Sequence, residues 1–435
     1  MKNLEDMMLG RRQFVLGLSG AAALALAACG GSGDSGTDEG AADAGDAAAE
    51  GTAIKVGLIC LHDENSTYDL NFINGFKEAM GTLGVAEGDY MIKTNIPEGQ
   101  ECYDAAAELA DAGCTLIFAD SFGHEDYMIQ AAKEFPEVQF CHATGTKAHT
   151  EGLDNYHNAF ASIYEGRFLA GVAAGMKLQE LADAGQLKGA APKMGYVGAF
   201  TYAEVVSGYT SFFLGAKSIV PDVTMDVTFT GSWYDETAEK EGATKLIAGG
   251  ADLISQHADS MGAPTACENA GIPNVSYNGS TVDACPNTFI VSSRINWAPY
   301  YEYAYDCVVN GNAIDVDWTG TLATDSVQLT EINEAAAAAG TADKIAEVKA
   351  GLEDGSIHVF DTASFTVEVT ADKNVNATVD GNGNLTSYMA DVDTDAAYEG
   401  DTEVIADGFF HESEYRSAPY FDLQIDGINL LDTAF

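Results

Sequence analysis

Ile54-Lys55-Val56-Gly57-Leu58-Ile59-Cys60 is a short apolar run rich in β-branched side chains, followed by a polar turn and then by residues 68–81, which carry apolar side chains at helical spacing. This is the pattern of a strand, a loop and a helix. The same unit recurs. Leu116-Ile117-Phe118-Ala119 precedes a helical pattern over 127–135, Val138-Gln139-Phe140-Cys141 follows, and the run 193–198 precedes 204–218. Residues 223–229 then precede 236–248, and Leu253-Ile254-Ser255 precedes 264–270. Strands alternating with helices predict parallel sheets covered on both faces. Two such series predict an α/β chain of two doubly wound lobes with a central cleft, and the helical pattern over 164–184 is expected to cross between them.

Open sheets of this kind bind ligands beyond the carboxyl ends of their strands. Seven loops are therefore expected to converge on the cleft: 62–69, 120–124, 200–204, 231–234, 257–262, 276–280 and 292–297. Two lobes meeting at a cleft also have the geometry for hinge closure around a ligand.

The chain begins with processing signals. Arg11-Arg12-Gln13-Phe14-Val15-Leu16 leads into an uncharged stretch of small residues that ends at Cys29, too short to span a bilayer stably. The paired arginines have the twin-arginine form, although Glu5 and Asp6 depart from the usual basic leader. Leu26-Ala27-Ala28-Cys29 has the form of a bacterial lipobox, whose cysteine takes a diacylglycerol after cleavage. Residues 1–29 are thus read as a lipoprotein signal peptide. Residues 30–52 are almost entirely Gly, Ala, Ser, Asp and Glu, too poor in apolar surface to fold, and are read as a disordered tether. The remainder divides into a two-lobe body over 53–360 and a C-terminal extension over 361–435, whose Gly381-Asn382-Gly383-Asn384 turn predicts appended strand pairs.

The formal charge of −47, from 67 acidic against 20 basic residues, disfavours nucleic acid as a partner and is read as a solubility feature. Of eight cysteines, Cys29 is assigned to the lipid, and several of the others sit in strand-like apolar runs as small core residues. A disulfide between Cys267 and Cys285 is left open. His62, His124, His142, His149 and His257 lack paired metal-ligand spacing, so no metal site and no cofactor are assigned. His257, Asp259 and Ser260 are the residue types of a hydrolytic triad, but they lie too close along one strand end and no nucleophile elbow is present, which argues against an enzyme.

Gly166-Arg167-Phe168-Leu169-Ala170-Gly171-Val172-Ala173-Ala174, Gly195-Tyr196-Val197-Gly198, the run 208–218, Gly231-Ser232-Trp233-Tyr234-Asp235 and Gly250-Ala251-Asp252-Leu253-Ile254 resemble, in order and spacing, the basic membrane protein family of ABC transporter substrate-binding lipoproteins, which includes purine nucleoside receptors. The resemblance runs from Ile54 to about Phe360. It implies a type I periplasmic-binding fold and a purine clamped between two aromatic rings, one from each lobe, at the places of Tyr68 and Trp233. A purine offers two π-faces, and each aromatic contact is worth about 1–3 kcal/mol. Where the family has an asparagine beside the first ring this chain has Asp69, which when ionised only accepts and so favours a base presenting amino or imino hydrogens. Asp63, Glu64 or Asn65 takes that place if the register is displaced, and Asp69 alternatively caps the following helix.

The family's acid and lysine for ribose correspond here to Asn278 and Arg294, which opens a free nucleobase as an alternative to a nucleoside. Gln256-His257-Ala258-Asp259-Ser260 and Asn296-Trp297-Ala298-Pro299-Tyr300-Tyr301 mark a branch distinct from the nucleoside receptors. His257 and Asp259 are expected to orient the ligand, and Phe122 and Trp297 complete the ligand-binding set. The expected partners are a small-molecule ligand, an ABC permease with its ATPase, and the membrane on its extracytoplasmic face through the lipid anchor. Rival readings are a sugar or autoinducer-like ligand and a ligand-sensing lipoprotein.

Overall fold

A computed structural model describes residues 54–392, 400 and 402–433. The expected signal peptide with Cys29 and the tether over 30–52 lie outside them. The first lobe opens with β1 (Lys55–Ile59) and α1 (Thr67–Thr82), then β2 (Tyr90–Lys93), α2 (Gln100–Asp111), β3 (Cys114–Ala119), α3 (Glu125–Glu134), β4 (Gln139–Ala143), the short α4 (Ala148–Glu151) and β5 (Tyr156–Ala161). The chain then crosses through α5 (Ile163–Asp183) to β6 (Lys193–Gly198), α6 (Ala203–Lys217), β7 (Thr224–Phe229), α7 (Glu236–Ala248), β8 (Leu253–Gln256), α8 (Gly262–Ala270), β9 (Asn274–Tyr277) and β10 (Phe289–Ile295). It returns through α9 (Ala298–Asn310) to β11 (Asp317–Gly320) and crosses a third time to β12 (Val327–Leu329) and α10 (Thr341–Asp354).

The first sheet has the order β11-β5-β4-β3-β1-β2 and every pairing in it is parallel. The second has the order β12-β10-β9-β8-β6-β7-β18, parallel throughout except where β12 runs against β10. In both, consecutive strands depart to opposite sides of the first strand of the lobe, and that reversal opens a crevice at the strands' carboxyl ends. The two doubly wound lobes expected from the strand-helix alternation are therefore the architecture.

Helix α5 is apolar on nearly all sides because it lies between the second sheet, α6 and α10, and residues Gly166 to Gly175 are buried without a break. Two glycines set its distance from α6. A Cβ on Gly171 would stand 2.1 Å from the Phe212 carbonyl oxygen, and one on Gly215 would stand 2.1 Å from that of Phe168.

Beyond Asp361 the extension pairs β13 (Ala377–Val379) with β14 (Leu385–Ala390) through the expected Gly-Asn turn and adds β15 (Thr402–Glu403), β16 (Ile405–Ala406) and β17 (Phe409–Phe410). Val367 forms an isolated bridge to Ile425 and donates its amide to the Gly383 carbonyl at 3.0 Å. The last strand, β18 (Ile428–Leu430), joins the second sheet in parallel beside β7, so the extension completes a lobe. Its core stacks Phe421 on Phe360 at 4.2 Å between ring centres. Cys267 and Cys285 are free buried thiols, as are the other five described cysteines, so the open disulfide is not formed. No helix among the described residues is long and apolar enough to cross a membrane.

Substituting Gly171→Ala should force α5 and α6 apart at a backbone contact and destabilise the fold by about 1–3 kcal/mol, the usual cost of overpacking. Urea unfolding of the variant beside the parent checks this.

Candidate functional site

The lobes meet around a cavity lined by Leu61, His62, Tyr68, Asp69, Ser121, Phe122, Thr144, Glu204, Trp233, His257, Asp259 and Tyr277. Each of these residues lies at the carboxyl end of a strand or in the connection after it, as far as the first turn of the next helix, following β1, β3 and β4 in the first lobe and β6, β7, β8 and β9 in the second. The lobes touch at its rim. Thr67 donates its amide and its hydroxyl to the Asp259 carbonyl at 3.2 and 3.1 Å, His62 packs on Tyr234, and Phe122 packs on Tyr202 at 5.1 Å.

On the first lobe, Tyr68 is held by its hydroxyl, which donates to the Asp120 carbonyl at 2.7 Å, and by its ring against Phe72. Asp69 does two things. Its carboxylate accepts from the His62 amide at 2.7 Å and from the Ser66 hydroxyl at 2.6 Å, while the Ser66 hydroxyl accepts from the Asp69 amide, so Ser66 caps α1 and the alternative reading of Asp69 as the cap is corrected. The carboxylate also faces the cavity. Burial pushes its pKa up, but hydrogen bonds from His62 and Ser66 outweigh that and hold it below the usual range, so it is ionised at neutral pH.

The second lobe presents Trp233, edge-on to Phe200 at 4.9 Å, with Asp259 fastened beside it by its amide on the Trp233 carbonyl at 2.9 Å. Burial, then the neighbouring charge of Asp69, pushes the Asp259 carboxyl well up. Behind these residues runs a relay. Arg167 donates to the Tyr196 hydroxyl, which stands 3.4 Å from His257 Nδ1, and His257 Nε2 stands 3.2 Å from Glu204. Since the Tyr196 oxygen accepts from Arg167, its proton goes to Nδ1, and His257 donates through Nε2 to Glu204. Burial keeps His257 neutral by lowering its pKa. The Tyr277 ring covers the Arg167 guanidinium at 4.4 Å, and its buried hydroxyl has no protein partner.

Six of the nine residues singled out from sequence line this cavity: Tyr68, Asp69, Phe122, Trp233, His257 and Asp259. Three do not, and the 292–297 loop is not part of the cleft wall. Arg294 donates to Gln328 at 3.0 and 2.6 Å and to Asn71 at 3.3 Å, tying α1 of the first lobe to β10 and β12 of the second, so it braces the hinge. Trp297 is buried in the core, stacked on Phe72 at 4.3 Å. Asn278 is buried behind Tyr277 in a left-handed turn, φ 64°, with Nδ2 unpartnered. Sequence reasoning left Leu61, His62, Ser121, Thr144, Glu204 and Tyr277 out of the set. Their positions at strand ends or in the connections that follow were the available signal, and Tyr277 stands one residue before the asparagine chosen instead.

Beneath Asp69 lies a second group without any motif: donor atoms of Cys60, Asp69 and Asp120 all lie within 4.8 Å of one another and all three residues are buried.

The fold and the interlobe cavity define a solute-binding protein of the type I periplasmic class. A solute-binding protein from Aeropyrum pernix shares the fold, with a TM-score of 0.59 at 18% identity over 73% of this chain and 95% of that one. The family model for PnrA-like ABC transporter substrate-binding proteins, Bmp, matches residues 61–358, and the chain belongs to this family. It is therefore a substrate-binding protein of an ABC transporter and not an enzyme. Among curated relatives, a purine-binding protein of Brucella abortus is 34% identical over 59% of this chain and 69% of its own length. A putative ABC transporter glucose-binding protein of Haloferax volcanii is 31% identical over 49% of this chain and 51% of its own.

Glu239 anchors the β8 loop by accepting from the Ser260 amide, and burial raises its pKa to about 7. A carboxyl whose folded pKa exceeds its unfolded value stabilises fully below the unfolded value, and that contribution is lost as pH rises through the folded value. Stability should thus fall between about pH 4.5 and 7, and Glu239→Gln should flatten this limb in thermal unfolding.

Proposed function

We propose that this substrate-binding protein captures a purine nucleobase or nucleoside outside the cell, held to the membrane by a lipid on Cys29, and delivers it to an ABC permease and its ATPase. The observation that carries the reading is the pairing of Tyr68 on one lobe with Trp233 on the other around a single cavity. A flat heteroaromatic ring between them contacts both lobes at once, so closure and binding become one event. Asp69 accepts from amino or imino hydrogens at the base edge; Asp259, kept protonated by burial, donates as well as accepts. The Brucella relative, a purine-binding protein by name, supports the same class.

The position of Arg294 in the hinge, with no lysine or arginine on the cavity wall, favours a free base over a nucleoside, since the ribose contacts of the family have no counterpart there. A sugar is the second reading, favoured by the Haloferax relative and by carboxylates flanking aromatic rings.

A thermal-shift screen of the detergent-solubilised lipoprotein against adenine, guanine, their nucleosides and glucose separates the readings, because a ligand that binds only the folded state raises the midpoint by mass action. Free purines are expected to give the largest rise; sugars alone raising it, with purines silent, would sink the purine reading. Trp233→Ala should weaken purine binding by about 1–3 kcal/mol in calorimetric titration, the value of one stacking contact. In cell fractionation Cys29→Ser should move the protein out of the membrane fraction, and unchanged membrane retention would remove the lipid anchor at that residue.

A further inference from the structure

Tyr277 ends β9 on the cleft wall, and its backbone is pinned from both directions. It stands opposite Ser293 in the parallel pairing of β9 with β10, and the next residue, Asn278, turns through the left-handed region and donates its amide to the Ser293 carbonyl at 2.9 Å. The ring is pinned as well. The Arg167 guanidinium stands 4.4 Å from its centre and the His257 ring 4.7 Å. A ring held in this way has little rotamer freedom left to lose, so its hydroxyl is in place before a ligand arrives.

The cavity wall carries four hydroxyls, on Tyr68, Ser121, Thr144 and Tyr277. Three of them are committed within the protein. Tyr68 donates to the Asp120 carbonyl, Ser121 to Glu98 at 2.6 Å, and Thr144 to the Ala143 carbonyl. The Tyr277 hydroxyl is buried and has no hydrogen-bond partner in the protein. Folds rarely keep a buried polar atom unpaired, because the lost hydration is not repaid. On a wall that faces a ligand, the partner to expect is the ligand. Glu204 and Asp259, which share the wall, are the carboxyl groups that act on this phenol; burial first, and Glu204 next, push its pKa well up, so it keeps the proton it has to donate.

We propose, resting on the purine reading above, that Tyr277 sets the specificity of the cleft by donating its hydroxyl proton to an unprotonated ring nitrogen of the bound base. Asp69 on the first lobe takes N–H donors, and Tyr277 on the second supplies the opposite polarity. The two together select a flat ring that presents donors to one lobe and a lone pair to the other. A ring without that lone pair leaves the buried hydroxyl unpaired and is rejected for that reason. The contact from the end of β9 thus comes from Tyr277, while Asn278 is buried behind it.

The test is calorimetric titration of the full-length lipoprotein in detergent, beside its Tyr277→Phe variant, with adenine and with the deaza analogues of adenine, each of which replaces one ring nitrogen by C–H. Adenine is expected to bind the parent, and the variant about tenfold more weakly, the worth of one hydrogen bond. One analogue should show the same loss on the parent and no further loss on the variant, because both changes remove the same bond. Free of ligand, the variant should unfold at or above the parent's midpoint, since the atom removed is bonded to nothing in the protein. Equal adenine affinity in parent and variant, or a loss in the variant that falls alike on adenine and every analogue, overturns the role of Tyr277 and leaves the purine reading standing. A variant that melts well below the parent assigns the hydroxyl to the fold and also overturns it. A parent that binds no purine overturns both readings.

Discussion

One buried cation organises the second lobe. Arg167 is fully inaccessible, on the helix that carries the chain across from the first lobe, and it donates to the Tyr196 hydroxyl on β6 and to the Gln256 carbonyl at the end of β8, while the Tyr277 ring at the end of β9 lies over it. Taking a guanidinium out of water costs several kcal/mol unless partners replace the solvent. Burial lowers its pKa, yet only to about 10, so it keeps its charge, and two hydrogen bonds and aromatic faces are what compensate it. Its position fixes three strand ends relative to α5, and those ends bear His257, Asp259 and Tyr277 of the cleft wall. Through Tyr196 it also fixes the tautomer of His257 and hence the direction in which Glu204 is engaged.

The cleft itself is an acidic place. Asp69 and Asp120 approach from the first lobe, Asp259 and Glu204 from the second, and no lysine or arginine reaches the lining. Closing the lobes brings these groups into a shared low-dielectric space, where like charges repel strongly. Burial answers by pushing Asp120 and Asp259 toward their neutral forms, while Asp69 keeps its charge on the strength of its hydrogen bonds. Thr67 on the Asp259 carbonyl and the aromatic contacts at the rim hold the lobes together against what repulsion remains. A ligand rich in N–H donors relieves the same repulsion from inside.

The extension after Asp361 belongs to this mechanical scheme. It supplies the edge strand of the second sheet through β18, where Asp432 accepts from the Thr228 hydroxyl and the Phe229 amide. It also reaches the first sheet, since the Ser417 amide donates to Asp317 on β11 and Thr319 donates to the Ser413 carbonyl. The extension therefore touches both sheets.

The sequence by itself determined the alternation of strands and helices, hence the two lobes, and it identified the loops around Tyr68, Trp233 and Asp259, because periodicity and turn composition are local properties of the chain. Strand boundaries such as Lys193–Gly198 and the helix Glu236–Ala248 were legible for that reason. Tertiary structure alone decided which polar residues face the cleft and which brace the frame. Arg294 and Trp297 sit at a strand end like the true lining residues, but β10 leads into the crossing between lobes, so their side chains turn into the hinge and the core. The meeting of Cys60, Asp69 and Asp120 was invisible as well, since they lie on three segments that only the parallel pairing of β1 with β3 brings together. Side-chain direction and long-range proximity depend on how elements pack, and the linear order of residues does not encode that packing in any short window.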